Sequence, residues 1–237
     1  MIIINNPNNP TGVPISTALM QDIVAVAKAN DIILFSDEVY RPLFHDGAEG
    51  DHVPKPALAF GYEKTIVTGS MSKAFGLAGI RLGWVASRDK ALVEAMAVAR
   101  DYTTISVSQL DDQIASFALS PVVQPSLLKR NIALARTNVS LLAKFVEDHG
   151  SVCSWTKPSA GTTAFIKFHD KNHPVLDDQF CLDVLEKTKV FFVPGSHCFG
   201  QDTDFLGYVR IGYVCETNVL EEALAKLSNY VKTVLDK

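Results

Sequence analysis

The chain is poor in the features that assign a protein quickly to several large classes. Its 237 residues hold four cysteines, Cys153, Cys181, Cys198 and Cys215, widely spaced, with no C-x-x-C pair and no histidine at a metal-ligand interval. A disulfide framework or structural zinc site is therefore not expected, and reduced thiols in a cytoplasmic protein are the default. No apolar run approaches the length of a membrane span. Met1 is followed by only three isoleucines before Asn5 and Asn6, too short a stretch for a signal peptide and without a basic start. Charge of one sign is lacking too. The formal net charge of −4 is spread over interleaved acids and bases, which leaves no basic stripe for nucleic acid and no polybasic anchor for a membrane. The expected partners are small molecules and other protein chains. Repeats and low-complexity tracts are missing, and Asp46–Pro56 is merely polar and proline-bearing. His45, His52, His149, His169 and His173 show no ligand spacing and are expected to be solvated or capping. His197 and Cys198, read as strand neighbours, point to opposite faces and make no nucleophile pair.

What is present is an apolar content of 47%, enough for a real core, arranged in a recurring pattern. A β-branched run ends in a polar or glycine-rich turn, and helical periodicity follows, as in parallel α/β units. Ile2–Ile4 is the first such strand and breaks at Asn5-Asn6-Pro7-Asn8-Asn9-Pro10-Thr11-Gly12, a dense turn signal. Ser16 is a plausible N-cap for a helix with Leu19, Ile23 and Val26 on one face. Ile32–Phe35 and Thr65–Thr68 read as further strands, ending in Ser36-Asp37-Glu38-Val39-Tyr40 and Gly69-Ser70-Met71-Ser72-Lys73, and Arg81–Ala86 as another. From Pro125 to His149, Leu128, Ile132, Ala135, Val139, Leu142 and Val146 trace one long amphipathic helix. Short strands at Thr163–Phe168 and Tyr208–Ile211 follow, then a closing helix carrying Val219, Ala223, Leu227, Tyr230 and Val234. The expected organisation is residues 1–124 as part of a large α/β domain with a mostly parallel sheet, and residues 125–237 as a smaller α/β domain led by the long helix.

Three polar clusters follow three successive strands, so a parallel sheet would bring them to its carboxyl edge, where open α/β sheets bind ligands. They offer an amide (Asn9), an acid (Asp37), a phenol (Tyr40), a hydroxyl (Ser70), an amine (Lys73) and a guanidinium (Arg81). That set meets the needs of a phosphorylated pyridine aldehyde. Lys73 supplies the amine for a Schiff base and, once released, shuttles a proton. Asp37 holds the ring-nitrogen proton, Arg81 and Ser70 take the phosphate, and Asn9 and Tyr40 face the phenolic oxygen. Each has a plainer alternative: a solvated lysine, an aspartate helix cap, an Asn-Pro turn, a surface ion pair for Arg81, a packed Tyr40.

The strings Asn-Asn-Pro-Asn-Asn-Pro-Thr-Gly, Ser-Asp-Glu-Val-Tyr and Ser-Met-Ser-Lys-Ala-Phe-Gly-Leu-Ala-Gly-Ile-Arg-Leu-Gly-Trp resemble the signatures of fold-type I, class I/II aminotransferases, which use pyridoxal 5'-phosphate (PLP). The resemblance implies that Asn9, Asp37, Tyr40, Ser70, Lys73 and Arg81 hold the cofactor. It also implies that Arg210, in a Val-Arg-Ile-Gly context, clamps the substrate carboxylate, its alternative being an interdomain salt bridge. It runs through the chain, including Val193-Pro194-Gly195 ahead of Phe199-Gly200. Amino acid and 2-oxo acid substrates, a homodimer and a fold-type I architecture are the corresponding expectations. The match begins inside the strand before Asn9. The family's N-terminal stretch, with its phosphate-binding loop and ring-stacking aromatic, is therefore expected to be truncated, which would leave an exposed sheet edge and uncovered apolar surface. The same motifs also serve C–S lyases and aminocyclopropane-carboxylate synthase-like enzymes, and a chain without catalytic activity is the third alternative.

Overall fold

A computed structural model describes residues 1–45, 53–201 and 204–235; positions 46–52 of the polar stretch, His52 among them, lie outside the described residues. The chain divides into two compact units. The first comprises residues 1–9, 13–132 and 159–161, and the second residues 10–12, 133–158 and 162–237.

The first unit is built on strands β1 (Ile2–Asn5), β2 (Leu34–Asp37), β3 (Thr65–Ser70) and β4 (Gly83–Ser87), hydrogen-bonded in that order. β1, β2 and β3 run parallel and β4 runs antiparallel to β3, so the sheet is mostly parallel. Helix α1 (Thr17–Ala29) starts where Ser16 caps it, its side chain accepting from the Leu19 amide. It packs on one sheet face, with Met20, Val24 and Ala27 in a core shared with Leu34, Val67, Ala57 and Tyr62. Of the face read from sequence, Ile23 packs against this core but the other two residues point away. Leu19 and Val26 are more than half exposed, at 52% and 54%, because one residue's shift turns a helix by about 100°. Strand alternation sends Ile2, Ile4, Leu34 and Val67 toward α1, and residues of the other parity to the opposite face.

Two helices lie where sequence periodicity marked nothing: α2 (Lys90–Asp101), capped by Asp89 through the amides of Ala91 and Leu92, and α3 (Gln109–Ala118), capped by Ser108. α2 buries none of its residues. Leu110 and Phe117 of α3 are 78% and 68% exposed, and Trp84 and Val85 of β4 also face solvent. A wide apolar surface thus remains open on this unit. Where β3 meets β4, Gly69 lies beneath the indole of Trp84. A Cβ at Gly69 would collide with that ring, and one at Gly83 would come within 2.7 Å of the Gly69 carbonyl oxygen.

Helix α4 (Gln124–Asp148) spans the division after Ile132. Of the stripe read from sequence, Ala135, Val139, Leu142 and Val146 are buried, while Leu128 and Ile132 are half-buried. The second unit continues with β5 (Cys153–Trp155), β6 (Thr163–Asp170), β7 (His173–Pro174), α5 (Asp177–Thr188), β8 (Val193–Pro194), α6 (Gly195–Cys198), β9 (Tyr208–Gly212) and α7 (Thr217–Val234). Its sheet is antiparallel, ordered β5-β6-β9-β8 with β7 on β6. Phe168, Phe180 and Tyr230 meet in succession between β6, α5 and α7, the first pair tilted and the second edge-to-face. Three histidine expectations need correction. His45 is buried, its amide donating to the Ser159 carbonyl. His149 is buried against Phe145 with Nε2 2.7 Å from Ser228 Oγ. His197 and Cys198 belong to a short helix and not to a strand, and His197 Nε2 stands 3.5 Å from Asp178.

Candidate active site

The register of the parallel strands does the first part of the positioning. Asn5 pairs with Asp37, and Asp37 with Thr68, so three polar residues stand in one row, Asn5 and Asp37 at the carboxyl ends of their strands and Thr68 two residues before the end of its own. All three belong to the face opposite α1. Ser70, two residues beyond Thr68, shares that face.

The row is stitched together by side chains. Asn5 Nδ2 donates to the Asp37 carbonyl at 3.1 Å, and Asn5 Oδ1 accepts from the Asn9 amide at 2.6 Å. Asn9 is therefore fixed relative to the end of β2 through its backbone. Buried Asn6 braces the same turn: its amide donates to the Asp37 carbonyl and its Oδ1 accepts from the Ile15 amide at 2.8 Å. On Asp37 itself, Oδ1 accepts from Thr68 Oγ1 at 2.9 Å and from the Val39 amide at 3.3 Å. Neither donor comes from a following helix, so the helix-cap alternative for Asp37 does not describe its contacts.

Beyond Asp37 the chain turns, the Glu38 amide donating to the Thr68 carbonyl and the Arg41 amide to that of Glu38. Glu38 is 3% exposed. Its Oε1 accepts from Ser36 Oγ at 3.1 Å and from the Ala57 amide at 2.8 Å, and its Oε2 meets Arg41 Nε at 2.9 Å. Arg41 also donates to the Pro54 carbonyl at 2.6 Å and lies over the Phe44 ring. Burial makes its guanidinium less basic than usual, and the adjacent Glu38 opposes that loss. Between these anchors Tyr40 is held buried beside Gly161, whose left-handed backbone (φ 73°) lies alongside the phenol ring.

The Ser70–Leu77 loop leaves β3 with its own ties. Ser70 Oγ accepts from the Ser72 amide at 3.0 Å, the Met71 amide donates to the Leu82 carbonyl, and the Leu77 amide to that of Met71. Asn131 Nδ2 holds the Ala74 carbonyl at 2.9 Å. Lys73 is exposed, and its Nζ lies 5.7 Å from the centroid of the Tyr40 ring, within cation–π range. Arg81 is exposed in a left-handed backbone conformation (φ 53°), with Nη1 donating to the Ala78 carbonyl at 3.1 Å. Arg210 belongs to the second unit. It is half-buried on β9, and its guanidinium sits 5.4 Å from the centroid of Phe199, one of an aromatic group with Phe165, Phe205 and Tyr208.

The structure thus links Asn9 to Asp37 through Asn5, sets Lys73 over Tyr40, and puts Ser70 in the lysine's own loop. Sequence reasoning missed Asn5, Thr68 and the Glu38–Arg41 pair. A period-two count back from Ser70 would have found Thr68, and the strand-end position of Asn5 would have flagged it.

The arrangement has counterparts in known proteins. A family model described as aminotransferase class I and II matches residues 1–227. The chain belongs to this family. Among its relatives, capreomycidine synthase of Streptomyces vinaceus is 28% identical over 98% of the chain, and glutamate-pyruvate aminotransferase AlaA of Haemophilus influenzae is 30% identical over 97%. The chain spans 56% of the length of each of these two. A crystal structure of a PLP-dependent aminotransferase from Streptococcus suis superposes with a TM-score of 0.86 at 33% identity, covering 100% of this family member and 58% of that chain. The fold is accordingly that of PLP-dependent aminotransferases. No described helix is long and apolar enough to cross a membrane.

Proposed function

We propose that the protein is a PLP-dependent aminotransferase that moves an amino group between an amino acid and a 2-oxo acid. The observation that carries this reading is the pairing of a gripped carboxylate with an exposed amine. Asp37 is held by Thr68 of β3, and Lys73 stands in the loop that leaves that same strand, over Tyr40. The donor set fits the cofactor. Both protein donors to the Asp37 carboxylate use Oδ1, which leaves Oδ2 for a cationic ring N–H. The Lys73 amine is accessible to an aldehyde, and the Arg81 guanidinium and Ser70 hydroxyl suit a phosphate.

When bound, PLP supplies an electron-withdrawing ring for the bonds of the substrate α-carbon. The chain's residues do the rest. Lys73 would hold the cofactor and, once released, would move the proton at the substrate α-carbon. Asp37 keeps the ring nitrogen protonated by charge pairing. Arg81 and Ser70 would hold the phosphate, and Asn9 and Tyr40 would serve the phenolic oxygen. Arg210 binds the substrate carboxylate, and its support on Phe199 favours a fixed planar fork for that contact. Residues 1–124 correspond in this reading to the C-terminal part of a large PLP-binding domain, and residues 125–237 to the small domain, with a homodimer in the cytoplasm as the working form. The exposed apolar surface of the first unit and the four free cysteines support the last two points.

Mixing the chain with PLP is expected to give a new absorbance band that Lys73→Ala abolishes, and persistence of the band in that variant rejects the assignment. Supplying amino acids with and without a 2-oxo acid then separates amino transfer from elimination. Release of oxo acid without an acceptor would favour the lyase or synthase-like alternative. Failure to take up PLP would leave a chain without catalytic activity.

A further inference from the structure

We infer that Thr68 is a positioning residue for the cofactor, acting through Asp37, an inference that rests on the reading above. Asp37 ends β2 with a side chain that has two rotatable bonds, and a solvated aspartate would swing freely. Here Thr68 Oγ1 donates to Oδ1 at 2.9 Å from the neighbouring strand, in direct register, while the Val39 amide reaches the same oxygen at 3.3 Å. Two donors converging on one oxygen fix the plane of the carboxylate. They present Oδ2, and not Oδ1, to whatever N–H approaches from the open side.

Thr68 is itself tied in place. Its carbonyl accepts from the Glu38 amide at 3.0 Å, which ties β3 to the turn after Asp37, and a β-branched side chain in a strand has little χ1 freedom. The hydroxyl is thus a preset donor, and its alignment costs nothing further when the cofactor arrives. A valine at this position would keep the shape and remove the donor, leaving Asp37 anchored by the longer amide contact alone. Serine would keep the donor with a looser rotor.

The experiment is a PLP titration of the full 237-residue chain, followed by absorbance across a pH series, for the wild type, Lys73→Ala, Thr68→Val, Thr68→Ala, Thr68→Ser, Asp37→Ala and Thr68→Val/Asp37→Ala. Loss of one hydrogen bond to a charged group predicts PLP retention weakened by about tenfold in Thr68→Val and Thr68→Ala, with a displaced pH dependence of the bound cofactor's absorbance. Thr68→Ser is expected to restore most of both. In the Asp37→Ala background the threonine substitution is expected to make no further difference, since it acts through that carboxylate. Wild-type affinity and pH profile in both Thr68→Val and Thr68→Ala would overturn the inference, as would an undiminished effect in the Asp37→Ala background. The wild type and Lys73→Ala arms judge the functional reading independently. A band that survives Lys73→Ala, or no uptake by the wild type, overturns that reading and takes the role of Thr68 with it.

Discussion

Removing the Glu38 carboxylate is the sharpest test of how the site is held from below. Glu38→Ala strips the acceptor from the Ser36 hydroxyl and the Ala57 amide and leaves Arg41, whose side chain is 16% exposed, without its counter-ion. Breaking a buried ion pair by deleting one partner costs about 3–5 kcal/mol. Arg41 keeps the Pro54 carbonyl and the Phe44 ring, which places the expected loss toward the lower end, about 3–4 kcal/mol. That lowers the folding constant by more than about a hundredfold, out of a total stability of about 5–15 kcal/mol. Glu38→Gln keeps an oxygen for Ala57 but turns an amide toward Arg41, so about 2 kcal/mol is expected. Urea unfolding followed by far-ultraviolet circular dichroism and by tryptophan emission measures the loss. A cycle with Arg41→Ala isolates the pair, and the double variant should be more stable than the sum of the singles implies by about 1 kcal/mol or more. A Glu38→Ala variant within about 0.5 kcal/mol of the wild type, the spread of neutral surface changes, would refute the reasoning. So would strict additivity with Arg41→Ala.

Thiol chemistry should discriminate sharply among the cysteines: burial pushes Cys153 and Cys181 up to about 12, so an alkylating reagent should modify exposed Cys198 first, half-buried Cys215 more slowly, and the other two only on unfolding, as read by peptide mass mapping. Asp183 accepts from Lys187 at 2.8 Å and from the Tyr230 hydroxyl at 2.5 Å, and these bonds hold its carboxyl below the usual range. Its contribution is therefore present above the unfolded carboxyl value and disappears as pH falls through the lower folded value. Being partly exposed, it is worth about half a kcal/mol, and Asp183→Asn should flatten the acid side of the stability profile by that amount; an unchanged slope would contradict the assignment.

The strand ends were legible in the sequence because turn chemistry punctuates them. Asn-Pro-rich, Ser-Asp-Glu and Gly-Ser strings each end an apolar run, and parallel pairing then obliges them to share an edge. The stripe of α4 was legible because its inward positions are apolar at a steady helical interval. What failed did so for identifiable reasons. α1 carries Leu19, Ile23 and Val26 beside Met20, Val24 and Ala27, so its apolar arc is wide enough to be centred one residue off. α2 buries nothing and α3 only Ala115 and Ala118, while Val93, Val98, Leu110 and Phe117 are exposed, so their large apolar residues do not outline an inward face of this unit. The reversal of β4 depends on the short connection through the left-handed Arg81, which no hydrophobic pattern records. Glu38, Arg41 and Thr68 work through partners distant in sequence or on a neighbouring strand, and a linear reading has no term for that.

The close fit of Trp84 over Gly69 has a practical consequence. The chain contains only two tryptophans, and the other, Trp155, belongs to the second unit. A Trp155→Phe variant would thus carry a single tryptophan resting on the residue just before Ser70, excited selectively on the red edge of its absorbance, where the tyrosines absorb little. Its emission would follow the lysine-bearing loop in real time, with no label attached and no substrate required.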